Sequence, residues 1–245
     1  MKKFTSGIAI LCALPFISLS ALAADTVWNF NSSQAHLNID NKRAGNTLST
    51  FQNGQSLEVT AWSGKESKRV KSAIIGANEW GLLATNTGQG HSKGEYNDGH
   101  YIDNEQSSDM LLFSFENSVS VSGLRLGAVY NDRDLSIAAF SSMPILAGRS
   151  WENIANQAVF KESYSNADFS HSNTLSFSNI VTEAKYWLIG AYNTNFGGNT
   201  FWTGEKDYFK LVSLTTHFSP RVDVPAPATA LLFGALGMLV LRRRK

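Results

Sequence analysis

Residues 111–130 read LLFSFENSVSVSGLRLGAVY. Apolar side chains recur at every second position, the period of a strand with one buried face. Leu111, Phe113 and Phe115 alternate, and Val119 and Val121 keep the same odd parity. Leu124, Leu126, Ala128 and Tyr130 then fall on even positions. A one-residue slip turns every side chain of a strand to the other face. The two halves therefore serve one core only if an extra residue is inserted between them. The spacing predicts a β-bulge near Ser122-Gly123.

The same pattern spreads outward from this stretch. Leu57, Val59 and Ala61 alternate, while Tyr186–Tyr192 is apolar at both parities, as in a central strand buried on both faces. Phe209, Leu211 and Val212 mark a closing strand. One helical stripe is visible within Ser150–Phe160, where Trp151, Ile154, Ala155 and Ala158 share a face and Ser150 can cap it. Gly, Asn, Asp and Ser clusters separate the runs. The fold class expected is all-β: a single jelly-roll-like β-sandwich domain over residues 25–220. Trp28, Trp62, Trp80, Trp151 and Trp187 lie in strand-like or helix-like runs and are expected in the core. With 43% hydrophobic and 17% charged residues, the chain carries enough apolar material for one core and is not a disordered polymer.

The ends read differently from the middle. In residues 1–24, Lys2 and Lys3 precede an apolar run from Ile8 to Leu19, and Ala21-Leu22-Ala23 is a small-x-small motif. That is the pattern of a secretory signal peptide cleaved after Ala23 or nearby. Its handling would fall to the Sec translocon and signal peptidase. The single cysteine, Cys12, lies in this segment, so the mature chain is expected to have no thiol chemistry. Residues 221–245 contain Val224-Pro225-Ala226-Pro227, an apolar run Ala228–Leu241, and the basic end Arg242-Arg243-Arg244-Lys245. As a helix the apolar run rises about 21 Å against a hydrocarbon core of about 30 Å, a marginal span. The basic cluster would stay on the cytoplasmic side of the inner membrane. Six of the 21 basic residues are Lys2, Lys3 and the final Arg242-Arg243-Arg244-Lys245, and the other fifteen face all 20 acidic ones. The body is thus mildly acidic, which argues against nucleic acid as a partner.

The tail Val224–Lys245 resembles the PEP-CTERM sorting signal of Gram-negative bacteria: a Pro-x-Pro motif, a short apolar helix and an Arg-rich end. The resemblance implies recognition by an exosortase, a membrane protease, and release to the cell surface or extracellular matrix. Ala226 stands where that family usually has Glu, a departure that bears on cleavage efficiency. An ordinary anchor holding a periplasmic domain is the alternative reading. The middle of the chain also resembles a family of exosortase-dependent surface proteins. The matching elements are His100-Tyr101-Ile102-Asp103-Asn104, Asp109 with Leu111–Phe115, Leu126-Gly127, Asn131-Asp132-Arg133-Asp134 and Tyr186–Tyr192. The resemblance implies a β-rich exported protein and no catalytic residue.

Two candidate sites emerge from the residues themselves. Asp98, Asp103, Asn104 and Asp109, with Asp132 and Asp134 after the next long strand, offer the hard oxygen ligands that calcium takes in sets of six to eight. A structural calcium is the one cofactor the sequence suggests. The competing reading is turn chemistry, since Asp and Asn before strands accept backbone hydrogen bonds. The loop NTNFGGNTFWTGEK carries Phe196, Phe201 and Trp202, aromatic faces that can stack on sugar rings of an extracellular polysaccharide. Here the alternative is a core plug beneath the loop.

Catalytic readings are weak. Gly90-His91-Ser92-Lys93-Gly94 matches G-x-S-x-G in letters but lacks the following apolar helix that the nucleophile elbow requires. His91 and His100 near Asp98 and Asp103 fit no zinc spacing. A carboxylate-pair glycosidase depends on a separation that sequence does not fix. The sequence therefore predicts an exported, non-catalytic surface or matrix protein with a structural, adhesive or polysaccharide-binding role. A secreted glycan-active hydrolase is the alternative.

Overall fold

A computed structural model describes residues 24–31, 38–39, 44–65, 68–85, 101–198 and 206–219, all inside one compact unit, Ala23–Ser219. The signal-like and tail segments, Asp98, Phe201 and Trp202 lie outside the described residues. The strands are β1 (Ala24–Asn29), β2 (Asn38–Ile39), β3 (Ala44–Gly45), β4 (Thr47–Gln52), β5 (Gln55–Gly64), β6 (Lys71–Asn78) and β7 (Gly81–Thr85). They continue with β8 (Ile102–Asp103), β9 (Ser108–Asn131), β10 (Leu135–Phe140), β11 (Phe160–Tyr164), β12 (Thr174–Ser176), β13 (Ala184–Ala191) and β14 (Asp207–Phe218). One short helix, α1 (Trp151–Ala155), lies between β10 and β11. The chain is thus all-β, as its alternation predicts. Among the described residues no helix is long and apolar enough to cross a membrane.

β9 changes partners along its length. Its first part pairs with β5 and β13, and its second part with β14 and β12. β6 does the same on a smaller scale: Ala73 faces Ala61 of β5, and Ile74–Asn78 face β7. Strand pairing runs from β9 through β14, β7, β6 and β5 and back to β9, with β14 and β7 meeting at Leu211 and Leu82.

The parity change in β9 has the expected origin. Thr215 of β14 faces Gly123, and Thr216 faces Val121. Ser122 is therefore the inserted residue, and Val121 and Leu124 are both buried. Alternation then places Leu57, Val59, Leu111, Phe113 and Phe115 in one core with Trp28 and Phe30. The other face of the same strands, at Met110, Leu112 and Leu188, forms a second core under α1. β13 is central, between β10 and β9. Its two-sided burial explains why its sequence shows no alternation.

α1 is capped as the sequence suggests: the Ser150 hydroxyl accepts the Asn153 N–H at 3.2 Å. The helix ends at Ala155, earlier than the stripe to Ala158 implies. The Val159 N–H already donates to Ala139 in β10, so the chain has to straighten there to begin β11. Each fully buried indole N–H finds an acceptor: Trp28 on Thr216 Oγ1 at 2.9 Å, Trp151 on the Gly64 carbonyl at 2.8 Å, Trp187 on the Ala184 carbonyl at 3.1 Å. Trp62 is half-buried. The expectation for Trp80 is corrected: it is 52% exposed, because it occupies the two-residue turn joining Asn78 to Gly81. Only its backbone packs inward, over Gly127, where a Cβ would lie 1.8 Å from the Trp80 carbonyl oxygen.

Gly190 meets a similar limit between strands. A Cβ there would sit 2.2 Å from the Asp109 carbonyl oxygen and 2.5 Å from Met110 Cα. Gly190→Ala should therefore lower unfolding stability by about 1–3 kcal/mol or more, the scale of overpacking, read from a lowered urea midpoint at constant slope. An unchanged midpoint would show that β13 can move away from β9 at little cost.

Candidate metal centre at the β9–β10 corner

The site begins with an asparagine. Asn131 ends β9 at φ 67°, a left-handed conformation that asparagine tolerates better than most residues. Its amide donates to the Lys206 carbonyl at 3.1 Å. The chain so turned brings Asp132 alongside Asp207, the first residue of β14, in an isolated parallel bridge. The Tyr208 N–H donates to the Asp132 carbonyl at 3.1 Å.

Three carboxylates converge there. Ligand oxygens of Asp132, Asp134 and Asp207 all lie within 4.8 Å of one another. Asp134 and Asp207 are buried and Asp132 is partly so. Backbone N–H groups orient each one: Arg133 donates to Asp132 at 2.8 Å, Asn166 to Asp134 at 2.6 Å, and Asp134 to Asp207 at 2.8 Å. Asn104 closes the corner from a fourth direction. Its Oδ1 accepts the Asp207 N–H at 3.0 Å, and its Nδ2 donates to Asp207 Oδ2 and, at 3.2 Å, to the Tyr192 carbonyl. Asn104 thus acts as a clamp on Asp207. The guanidinium of Arg133 is engaged elsewhere, by Asn166 and Asn173 and over the ring of Phe169 at 5.0 Å.

The electrostatic consequence falls on Asp207. Burial raises its pKa first, and the neighbouring Asp134 and Asp132 charges raise it further, from 3.8 to about 8. Backbone hydrogen bonds from Asp134 and Tyr192 oppose the shift without reversing it. Three like charges this close require compensation. A proton on Asp207 provides it near neutral pH, and a hard divalent cation can provide it in the proton's place. The oxygen-only donor set suits calcium or magnesium rather than a thiophilic or imidazole-seeking metal.

Of the residues the sequence singles out, Asp132, Asp134 and Asn104 come together. Asp103 and Asp109 fall outside the trio. Asp103 lies in β8 opposite Tyr208, where its carboxylate accepts the Glu105 N–H at 3.1 Å. This is turn chemistry of the kind that competes with ligation. Asp109 is buried opposite Ser63 at the start of β9. Asp207 is the member that sequence reading misses. It stands alone before an apolar strand, and only the pairing of β14 with the end of β9 shows where its side chain goes. Phe196 is corrected as a sugar-stacking residue: it is fully buried and packs edge-on against Trp151 with ring centroids 6.1 Å apart.

Comparison with protein-family models, curated proteins and solved structures finds no match.

The shift on Asp207 fixes a sign. Between pH 3.8 and about 8 the folded chain holds a proton that the unfolded chain has lost. Calcium-free stability should therefore fall as pH rises through that window and level off above it, as far as this group is concerned. Calcium bound at this corner would compete with the same proton, so its stabilisation should grow with pH. At about 100 times Kd it contributes about 2.7 kcal/mol, roughly 5–10 °C in Tm for a domain of this size. The full chain in mild detergent should show a larger calcium-induced Tm rise at pH 9 than at pH 6. Asp207→Asn should abolish that rise, whatever its own Tm in EDTA. A calcium shift unaffected by pH and by Asp207→Asn would place the ion elsewhere.

Proposed function

We propose that this chain is an exported, non-catalytic protein of the cell surface or extracellular matrix, with a structural, adhesive or polysaccharide-binding role. Calcium orders one corner of its domain. The observation that carries this reading is the convergence of Asp132, Asp134 and Asp207 at the sheet corner, with Asn104 clamping Asp207. Millimolar calcium outside the cell suits a site of few carboxylates, which binds weakly and is filled only where the ion is abundant. We read the two packed faces joined through β9 and β6 as a jelly-roll-like sandwich, a form in which loops at the sheet ends carry function and the core is structural.

The end segments support the export part. Residues 1–24 have the charge, apolar run and Ala21-x-Ala23 motif of a signal peptide. Signal peptidase would remove them after passage through the Sec translocon. Residues 221–245 would hold the chain briefly in the inner membrane. An exosortase-like protease would then act near Val224-Pro225-Ala226-Pro227, with Arg242, Arg243 and Arg244 holding the cytoplasmic side.

In a producing bacterium, the chain should be recovered at the cell surface or in the medium, shortened at both ends by mass. Replacing Arg242, Arg243 and Arg244 with Gln should leave it full length at its C-terminus in the membrane fraction. Recovery of the parent chain in the membrane with its basic tail intact would favour the permanently anchored periplasmic alternative.

A further inference from the structure

Away from the carboxylate corner, four strands cross one open face in the order β4, β5, β9, β13. Ser49 faces Glu58, Glu58 faces Ser114, and Ser114 faces Tyr186. Directly paired residues share a face, so these four make one straight row across the sheet. Phe51 and Ser56 lie on the same face two residues along. The Ser56 N–H donates to the Glu116 carboxylate at 3.1 Å, anchoring that side chain across the strand gap. Together with Met143 these residues border a groove of about 630 Å³. Three strand spacings of about 4.8 Å make it roughly 14 Å across, long enough for several linked rings.

The chemistry is sorted across the groove. Phe51 stands on one bank at 62% exposure, and half-buried Tyr186 stands on the other beside exposed Met143. Between them the floor presents serine hydroxyls and the Glu58 and Glu116 carboxylates, with no Lys, Arg or His among the described lining residues. The flanking aromatics match the apolar C–H faces of pyranose rings. The floor groups accept and exchange hydrogen bonds with hydroxyls. The two carboxylates disfavour an anionic polymer by like charge. A peptide cannot add as a strand to β5 or β9, because both are already paired on both edges.

We propose that this groove is a polysaccharide-binding site for an uncharged glycan chain lying across β4, β5, β9 and β13. It rests on the polysaccharide-binding form of the function proposed above and places that binding on a sheet face rather than on the loop that carries Phe196.

Affinity electrophoresis of the full chain in mild detergent tests it, with xylan, galactomannan or mixed-linkage β-glucan in the gel and alginate as the anionic comparison. The expected result is retardation by at least one neutral polymer and none by alginate. Phe51→Ala should weaken retardation about tenfold, the scale of one lost stacking contact, and Glu58→Gln should weaken it less. Both side chains are exposed, so the variants should melt like the parent. Asp207→Asn should be retarded like the parent. Retardation that survives Phe51→Ala unchanged would overturn this groove as the site while leaving a polysaccharide role intact. Retardation by alginate alone would overturn the ligand class. No retardation of the parent by any polymer would overturn both the groove and the polysaccharide-binding form of the function.

Discussion

The domain depends on the inserted residue Ser122 in β9. This strand runs from Ser108 to Asn131 and serves β5 and β13 along its first part, then β14 and β12 along its second. Without the insertion, Val119 and Val121 could be buried only if Leu124 and Leu126 faced solvent. With it, both pairs enter the core. Gly123 accompanies the bulge where β12 passes close, with a Cβ there lying 2.9 Å from the Leu175 carbonyl oxygen. A bulge also bends and twists a strand, which lets a single strand leave one set of neighbours and join another. The closed pairing path through β14, β7, β6 and β5 follows from that change of partners.

The far end of the same strand sets the electrostatic problem. β9 ends at Asn131, and its pairing with β14 puts Asp207 opposite Asn131. The next residues of the chain then carry Asp132 and Asp134 to the same place. Hydrogen bonds from three backbone N–H groups favour the charged carboxylates, whereas burial and mutual repulsion oppose them. The opposition prevails at Asp207, whose pKa rises to about 8. A site in this state is suited to exchange a proton for a cation. A proton would neutralise it where cations are scarce, and a bound divalent ion would do so where they are plentiful. Tyr208, next in the chain, is spared this conflict because alternation sends it to the opposite face, where it meets Tyr101 and Tyr130 edge-on at 6.1 and 5.8 Å.

How much of this was legible in the sequence depended on range. The strand period, the bulge at Ser122-Gly123, the two-sided burial of Tyr186–Tyr192 and the Ser150 cap are local signals, and each could be read from neighbouring residues. The carboxylate corner was half legible. Asp132 and Asp134 are two residues apart, as an extended Asp-x-Asp requires, but Asp207 is brought in by pairing across 73 residues. Trp80 misled because hydrophobicity was read without the turn that places it: a large aromatic flanked by Asn78-Glu79 and Gly81 is a hairpin tip. Phe196 misled in the opposite direction. A polar, glycine-rich surrounding suggested an exposed ring, yet a short 3-10 turn at Thr194–Phe196 folds it under α1.

The groove shows what composition alone does not supply. Aromatic residues were plentiful, and most fully buried ones are structural: Trp28, Trp151 and Trp187 fill the cores and satisfy their indole N–H groups internally. Binding requires an aromatic ring that the fold leaves facing solvent beside polar partners, and alternation decides which ring that is. On β4, Leu48 turns inward while Phe51, at the opposite parity, turns outward. Its value comes only from cross-strand register, which sets Glu58, Ser114 and Tyr186 in line beside it. That line includes Tyr186 of β13, and the Tyr192 carbonyl that accepts the Asn104 amide at the carboxylate corner lies six residues further along the same chain, at most about 20 Å of extended strand. On the reading proposed above, a cation at the corner would set how firmly the scaffold stands, while the sheet face would set what the scaffold holds.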